Sequence, residues 1–365
     1  MVLVDILSTL VGFRTIAGKP NLDLIDWVEA FLQDADFTVT RFLSPCGSKA
    51  GLLAKFGGKD GGVLFSAHSD VVPVSGQCWN SDPFTLQHDG DRLIGRGTTD
   101  MKGFLACVLA EAQALKAHTP EKPFMVSLSW DEEIGCRGIP HMIDHVIPTL
   151  GRPNLVVVGE PTEMQICLGH KGKTAYRAVC HGTTGHSALA PKFLNALHVA
   201  ADFIVALQKL QQSYASTGVQ DLEYAMPYST LHAGKMQGGV ALNMVPERAE
   251  IEFEIRHLSA DNPNDMIDAL RNFAPQSIEI EQVNSYPGFD GDYNDPIWGK
   301  LVRSLDPRKP IKVSFGTEAG FFSNLGLRTL VCGPGSMQAD GHQPNEGIAT
   351  AQLEACHRFI QKVML

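Results

Sequence analysis

Two histidines and a scattered set of acids carry the chemistry that can be read from this 365-residue chain. His68 and Asp70 stand two apart just after the apolar run Val63–Ala67. Asp100 sits in Gly95-Arg96-Gly97-Thr98-Thr99-Asp100-Met101-Lys102-Gly103, Asp131-Glu132-Glu133 follow Phe124–Trp130, Glu160 follows Leu155–Val158, and His342 lies in the loop after Thr329–Cys332. Singly, each has an ordinary explanation: a packed or surface histidine, a helix cap, a solvated acidic loop. Gathered at the ends of several apolar strands, such acids would repel one another unless a cation neutralised them. Mixed imidazole and carboxylate ligands suit zinc or a similar first-row ion, and all-oxygen sites suit magnesium or calcium. The set exceeds the three or so protein ligands of one catalytic zinc, so two ions sharing a carboxylate are expected. With one residue between them, His68 and Asp70 share a side of the strand, which lets Asp70 bond the ring nitrogen that faces away from the metal. Glu132 and Glu133 are consecutive and point differently, so one can ligate while the other stays free as a base.

The elements that must position these residues alternate between strand and helix patterns. Leu24, Trp27, Val28, Phe31 and Leu32 recur at helical spacing after an Asn21 N-cap, and Phe104, Leu105, Val108, Leu109, Ala112 and Leu115 mark a helix from 101 to 117. The four apolar runs read as buried central strands, with the site at their C-terminal ends. Near residue 168 the pattern changes. Tyr176–Cys180 reads as a strand, Phe193–Leu210 as a helix, and Ile251–Ile255 alternates as in a sheet with one solvated face. The expected fold is α/β: a mixed sheet flanked by helices, residues 1–167 and 286–365, interrupted by a smaller α/β domain over 168–285.

Thirty Lys and Arg against 40 Asp and Glu leave a net charge of −10, which disfavours nucleic acid and anionic lipid as partners. No run of 18 apolar residues is present, so no membrane span is expected. The eight cysteines stand singly with no Cys-x-x-Cys, and the start MVLVDILSTLVGFRT has no basic region before its apolar stretch. Both point to a reduced, cytoplasmic protein without a secretory signal.

Rival chemistries fail on spacing. A dinucleotide fingerprint needs Gly or Ala where Gly95-x-Gly97-x-x-Asp100 has an acid, and Gly172-Lys173-Thr174 lacks the P-loop glycine five residues upstream, where Cys167 stands. Gly335-Ser336 lacks both the flanking pattern and the strand-to-helix setting of a serine nucleophile. A binding protein with a degenerate site would have shed some of these ligands.

Taken in order, His68-x-Asp70, Gly95–Gly103, Asp131-Glu132-Glu133, Gly159-Glu160-Pro161-Thr162 and His342 resemble the M20 family of dinuclear zinc aminoacylases and peptidases. Within that family, Gly169-His170-Lys171-Gly172, Ala241–Pro246, Phe315–Gly320 and Gly333-Pro334-Gly335-Ser336 resemble the acetylornithine deacetylases. The resemblance runs nearly end to end. It implies two Zn²⁺ per subunit, with Co²⁺ as a substitute: His68, Asp100 and Glu160 on one, Asp100, Glu133 and His342 on the other. It makes Glu132 the general acid/base, Asp70 the partner of His68, and the inserted domain a lid or dimerisation domain of a homodimer. His186, in Thr183-Thr184-Gly185-His186-Ser187, matches a lid histidine that polarises the scissile carbonyl, and Asn243 and Arg256 match positions that meet the substrate carbonyl and carboxylate. Glu318 is expected to face a cationic side chain such as ornithine's. The implied reaction is hydrolysis of an N-acyl-L-amino acid, N2-acetyl-L-ornithine foremost, in arginine biosynthesis. The alternatives are succinyl-diaminopimelate, acetylcitrulline or a dipeptide as substrate. Met337–His342 is one residue longer than the deacetylase pattern, which raises Asp340 as a competing acid.

Overall fold

The computed structural model describes residues 2–58, 60–273 and 278–364. It divides into two units: residues 1–169, 291–311 and 317–365, and residues 170–290 with 312–316.

The first unit is built on a mixed sheet that includes, in order, the strands Thr38–Leu43, Ala50–Phe56, Phe124–Ser129, Val63–His68, Leu155–Pro161, Thr329–Gly333 and Cys167–His170. The four from Phe124–Ser129 to Thr329–Gly333 are parallel neighbours, and every residue of the four is buried. Burial on both faces explains why they read as continuous apolar runs. Because they are parallel, their C-terminal ends lie together. His68 pairs with Ser129, and Ser66 with Val158. Asp131–Glu133 and Glu160 therefore emerge beside His68.

The helix after Asp100 runs from Lys102 to Leu115. A Cβ on Gly159 would lie 2.0 Å from the ring of Phe104 on this helix, so glycine at 159 permits the close packing just before Glu160. The helix Leu22–Asp34 buries Leu24, Ile25, Val28 and Leu32. Asn21 occupies its N-cap position without capping it. Its side-chain amide donates to the Ala50 carbonyl and Ser69 Oγ, at 2.8 and 2.9 Å, and its carbonyl accepts the Ala50 N–H. A tertiary bond has displaced the local one. A second, three-stranded sheet pairs Gly347–Ala349 with Arg92–Ile94, and the latter with Gln87–Asp89.

The second unit is an antiparallel sheet in the order Thr230–Gly238, Arg248–His257, Gly172–His181, Ile278–Tyr286, with the helices Ala196–Thr217 and Pro263–Phe273. Along Arg248–His257 the residues alternate, Ala249, Ile251, Phe253 and Ile255 entering a core with Phe203, Leu207 and Leu270. The long helix begins three residues later than Phe193, because Asn195 caps it by accepting the Leu197 N–H at 2.9 Å. Pro191 and Phe193 belong to the preceding turn and the residue that ends it. The helix continues to Thr217, past the expected Leu210.

Candidate metal centre

Asp100 is the hub of the site. One of its carboxylate oxygens is 3.1 Å from His68 Nε2 and the other is 3.2 Å from His342 Nε2. His68 Nε2 is also 3.7 Å from Glu160, and His342 Nε2 is 3.0 Å from Glu133. The carboxylate thus lies between two groups, His68 with Glu160 and His342 with Glu133. Two overlapping triplets, His68 with Glu132 and Glu160, and His68 with Asp100 and Glu133, each bring their nearest ligand atoms within 4.8 Å of one another. Glu132 therefore reaches the same cluster from the same loop as Glu133.

The ring of His68 is fixed from behind. Its Nδ1 donates to the Asp70 backbone carbonyl at 2.9 Å, which turns Nε2 towards the acids, where a metal ion would take the place of its proton. The Asp70 carboxylate is 3.7 Å from Nδ1 and instead accepts the backbone N–H groups of Glu132 and Glu133, at 3.1 and 3.2 Å. Asp70 therefore orients the imidazole through its main chain and the two glutamates through its side chain. Asp131, first of the three acids, has φ of 54° and accepts the Gly18 N–H while pairing with Lys49. It anchors the turn that carries the other two.

Charge crowding and burial perturb the acids and histidines of the cluster. Burial pushes Glu132 up to about 8, and Glu318, Asp100 and Asp70 add to the rise. Burial and then Asp100 push Glu133 up to about 8 as well, and the same two causes carry Glu160 well above the carboxylate range. Burial opposes the charged form of His68, yet Asp100, Glu160 and Asp70 raise it well above an ordinary histidine. His342 is raised to about 10 by its bonds to Asp100 and Glu133. Burial would raise Asp100, but the two histidines hold it below the usual range. Retained protons take the place of a positive charge, and Glu133 Oε1 is buried with no hydrogen-bond partner among the described residues. Imidazole nitrogens, convergent carboxylates and one orphaned oxygen are a donor set that fits divalent metal.

The remaining expected residues fall in several places. Glu318 is 2% exposed, so its carboxyl faces the protein interior and not open solvent. Burial pushes it up to about 7, with Ser129, His68, Asp70 and Ser66 as its neighbours. Asp340 pairs with Arg92, outside the cluster. In the second unit, His186 pairs with Met244 across a short ladder, and the Asn243 carbonyl accepts the Ser187 N–H at 3.0 Å. That brings His186 and Asn243 together. His186 Nδ1 accepts the Ala188 N–H at 3.1 Å, which puts the ring proton on Nε2. Arg256 is held by Glu254 at 2.9 Å and the Tyr286 hydroxyl at 3.0 Å. Sequence reasoning missed Glu346 and its buried pairing with Arg96 of the Asp100 loop. Glu346 reads there as one more acid in a polar turn.

Comparison with known proteins agrees with this geometry. The model of peptidase family M20/M25/M40 matches residues 64–365. The acetylornithine deacetylase of Aliivibrio salmonicida (strain LFI1238) is 33% identical, over 87% of this chain and 84% of its own. That of Buchnera aphidicola subsp. Acyrthosiphon pisum (strain Tuc7) is 27% identical, over 99% and 97%. Among solved structures, an M20 family metallo-carboxypeptidase from Sulfolobus solfataricus superposes with a TM-score of 0.80 at 18% identity, covering 100% of this chain and 98% of its own. Among the described residues, no helix is long and apolar enough to cross a membrane. With the match spanning most of its length and a candidate metal-binding cluster beside its strand ends, the chain belongs to peptidase family M20/M25/M40 and is a metallohydrolase of that family.

Proposed function

We propose that this protein hydrolyses the amide bond of N2-acetyl-L-ornithine to L-ornithine and acetate, a step of arginine biosynthesis. One observation carries the reaction class: Asp100 lies between the His68–Glu160 and His342–Glu133 groups, with Glu132 in the same cluster. The substrate rests on the acetylornithine deacetylases among the relatives. His68, Asp100 and Glu160 would hold one divalent ion and Asp100, Glu133 and His342 a second, zinc or in its place cobalt. Such a pair supplies the positive charge that eases deprotonation of water and stabilises an oxyanion at neutral pH.

The chain's own groups do the rest. Asp70 fixes the main chain of Glu132, so the carboxylate of Glu132 is held to take the proton of the attacking water and pass it to the leaving amine. Glu133, one residue on, faces His342 and is committed to it. His186, with its proton on Nε2, is the donor proposed for the scissile carbonyl, and Asn243 and Arg256 for the substrate's carbonyl and carboxylate. In this reading the protein is a cytoplasmic homodimer, and Thr230–Gly238, at one edge of the second unit's sheet, offers a strand for pairing.

The test is free amine released from N-acetyl-L-ornithine by zinc-loaded protein, beside a chelated sample. Chelator-sensitive release is expected. No release from protein shown to carry two ions would overturn the substrate and turn the search to other N-acyl amino acids, succinyl-diaminopimelate, acetylcitrulline and dipeptides.

A further inference from the structure

Behind the cluster lies a buried ion pair that the reaction itself does not use. Arg96 Nη1 is 2.7 Å from Glu346 Oε2, and both side chains are 1% exposed. Burying two opposite charges gains little stability, because the lost hydration offsets most of their attraction. What distinguishes this pair is where the carboxylate's other bonds go. Oε2 also accepts the Gly97 N–H at 3.0 Å, and Oε1 accepts those of Thr99 and Asp100 at 2.8 and 3.0 Å. Three main-chain donors of one loop thus converge on one carboxylate. The Glu346 carbonyl accepts the Gly95 N–H at 2.9 Å, closing the loop's other end. Gly97, at φ of 86°, turns the chain around the carboxylate.

Arg96 extends the network to the second histidine. Nη1 also donates to the Gln343 carbonyl at 3.3 Å, and Nη2 to Gln77 Oε1. Gln77 Nε2 in turn donates to the carbonyl of His342 at 2.8 Å. Trp79 donates to Gln77 Oε1 at 3.0 Å and lies under the Arg96 guanidinium, 5.0 Å from its ring centre. His342 itself has φ of 62°, a conformation that a residue other than glycine keeps only when its surroundings impose it.

We propose that Glu346 is a positioning residue that sets Asp100 for both metal ions, and that Arg96 and Gln77 carry the same clasp to His342 and so set the second ion alone. The inference rests on the two-ion reading of the cluster. It assigns different consequences to the two ends of the network. Glu346→Gln turns one acceptor oxygen into a donor facing main-chain N–H groups, which loosens Asp100. Gln77→Ala keeps every charge and all the Glu346 bonds to the Asp100 loop, and releases Arg96 Nη2, Trp79 and the His342 carbonyl.

The experiment is zinc titration of metal-free protein against a chromophoric chelator, with the thermal midpoint of each metal-free sample alongside. Glu346→Gln is expected to weaken both ions, and Gln77→Ala only one of the two, by roughly 10–100-fold, as partners of ligands generally do. The inference is overturned if Gln77→Ala binds both ions as the parent does, or if Glu346→Gln lowers the midpoint and leaves both affinities intact. Should Glu346→Gln fail to fold, Gln77→Ala decides alone. A parent protein that binds fewer than two ions would remove the proposed function itself, and this inference with it.

Discussion

The two sides of Asp100 are built differently. On one side His68 and Glu160 stand at the ends of adjacent parallel strands, and the His68 side chain is almost wholly buried. On the other, His342 is carried by a loop and its side chain is 50% exposed. The strand side derives its geometry from the sheet, whose register could shift only by unfolding the core. The loop side has no such frame and relies on hydrogen bonds to its main chain. One centre thus joins a rigid half that comes with the fold to a half that must be tied in place.

That contrast can be broken most sharply at the residues both sides share. Asp100→Ala should abolish binding of both ions, and Glu132→Gln should keep both while turnover falls by about 10²–10⁴-fold, the usual share of a positioned acid/base. Metal analysis beside steady-state kinetics separates them, and normal turnover by the Glu132 variant would remove its role. A smaller effect distinguishes the sides themselves. His68→Ala should lose metal and also lower the melting temperature of the metal-free protein, because it leaves a hole among buried acids; His342→Ala should lose one ion with little change in melting. Equal melting losses would erase the distinction between frame and loop.

The smallest effect is on pH. Glu132 and Glu133 are raised from 4.5 to about 8 in the folded protein, so the folded state keeps protons that the unfolded chain has given up. Metal-free protein should therefore lose stability as pH rises from about 4.5 to about 8. His342, raised from 6.5 to about 10, stabilises fully below 6.5, and that contribution is lost as pH climbs towards 10. Melting of chelated samples from pH 5 to 9 should fall by on the order of a few degrees. In His342→Ala the upper part of that slope should flatten while the lower part stays. A slope unchanged by the substitution would mean that the loop side carries no share of it.

Much of this was legible because strand ends announce themselves. Val63–Ala67, Phe124–Trp130 and Leu155–Val158 are mostly apolar and buried on both faces, and the first charged or ionisable residues after them, His68, Asp131–Glu133 and Glu160, cluster at one end of the sheet. The strict alternation around Ile251–Ile255 likewise marks a sheet packed on one face only. What stayed hidden was tertiary. Asn21 looks like a cap and serves as a tie to Ala50, and Glu318, expected to face a cationic side chain, is buried beside Ser66 and Ser129. Asp131 reads as a ligand candidate and is occupied by Lys49. Glu346 could not be singled out, since its partners, Arg96 and three main-chain N–H groups of the kind every residue but proline possesses, lie far away in the chain.

That distance matters for how the protein comes into being. The bond from Asp100 to Glu346 spans 246 positions, and the whole second unit is synthesised between them. A nascent chain leaving the ribosome exposes His68, Asp100, Glu133 and Glu160 long before His342 and Glu346 exist. The late arrival must close one of the longest loops in the chain, a contact of the kind that slows folding. A chain that stops before residue 342 holds the strand-borne residues and lacks His342 and Glu346, which would complete the proposed pair.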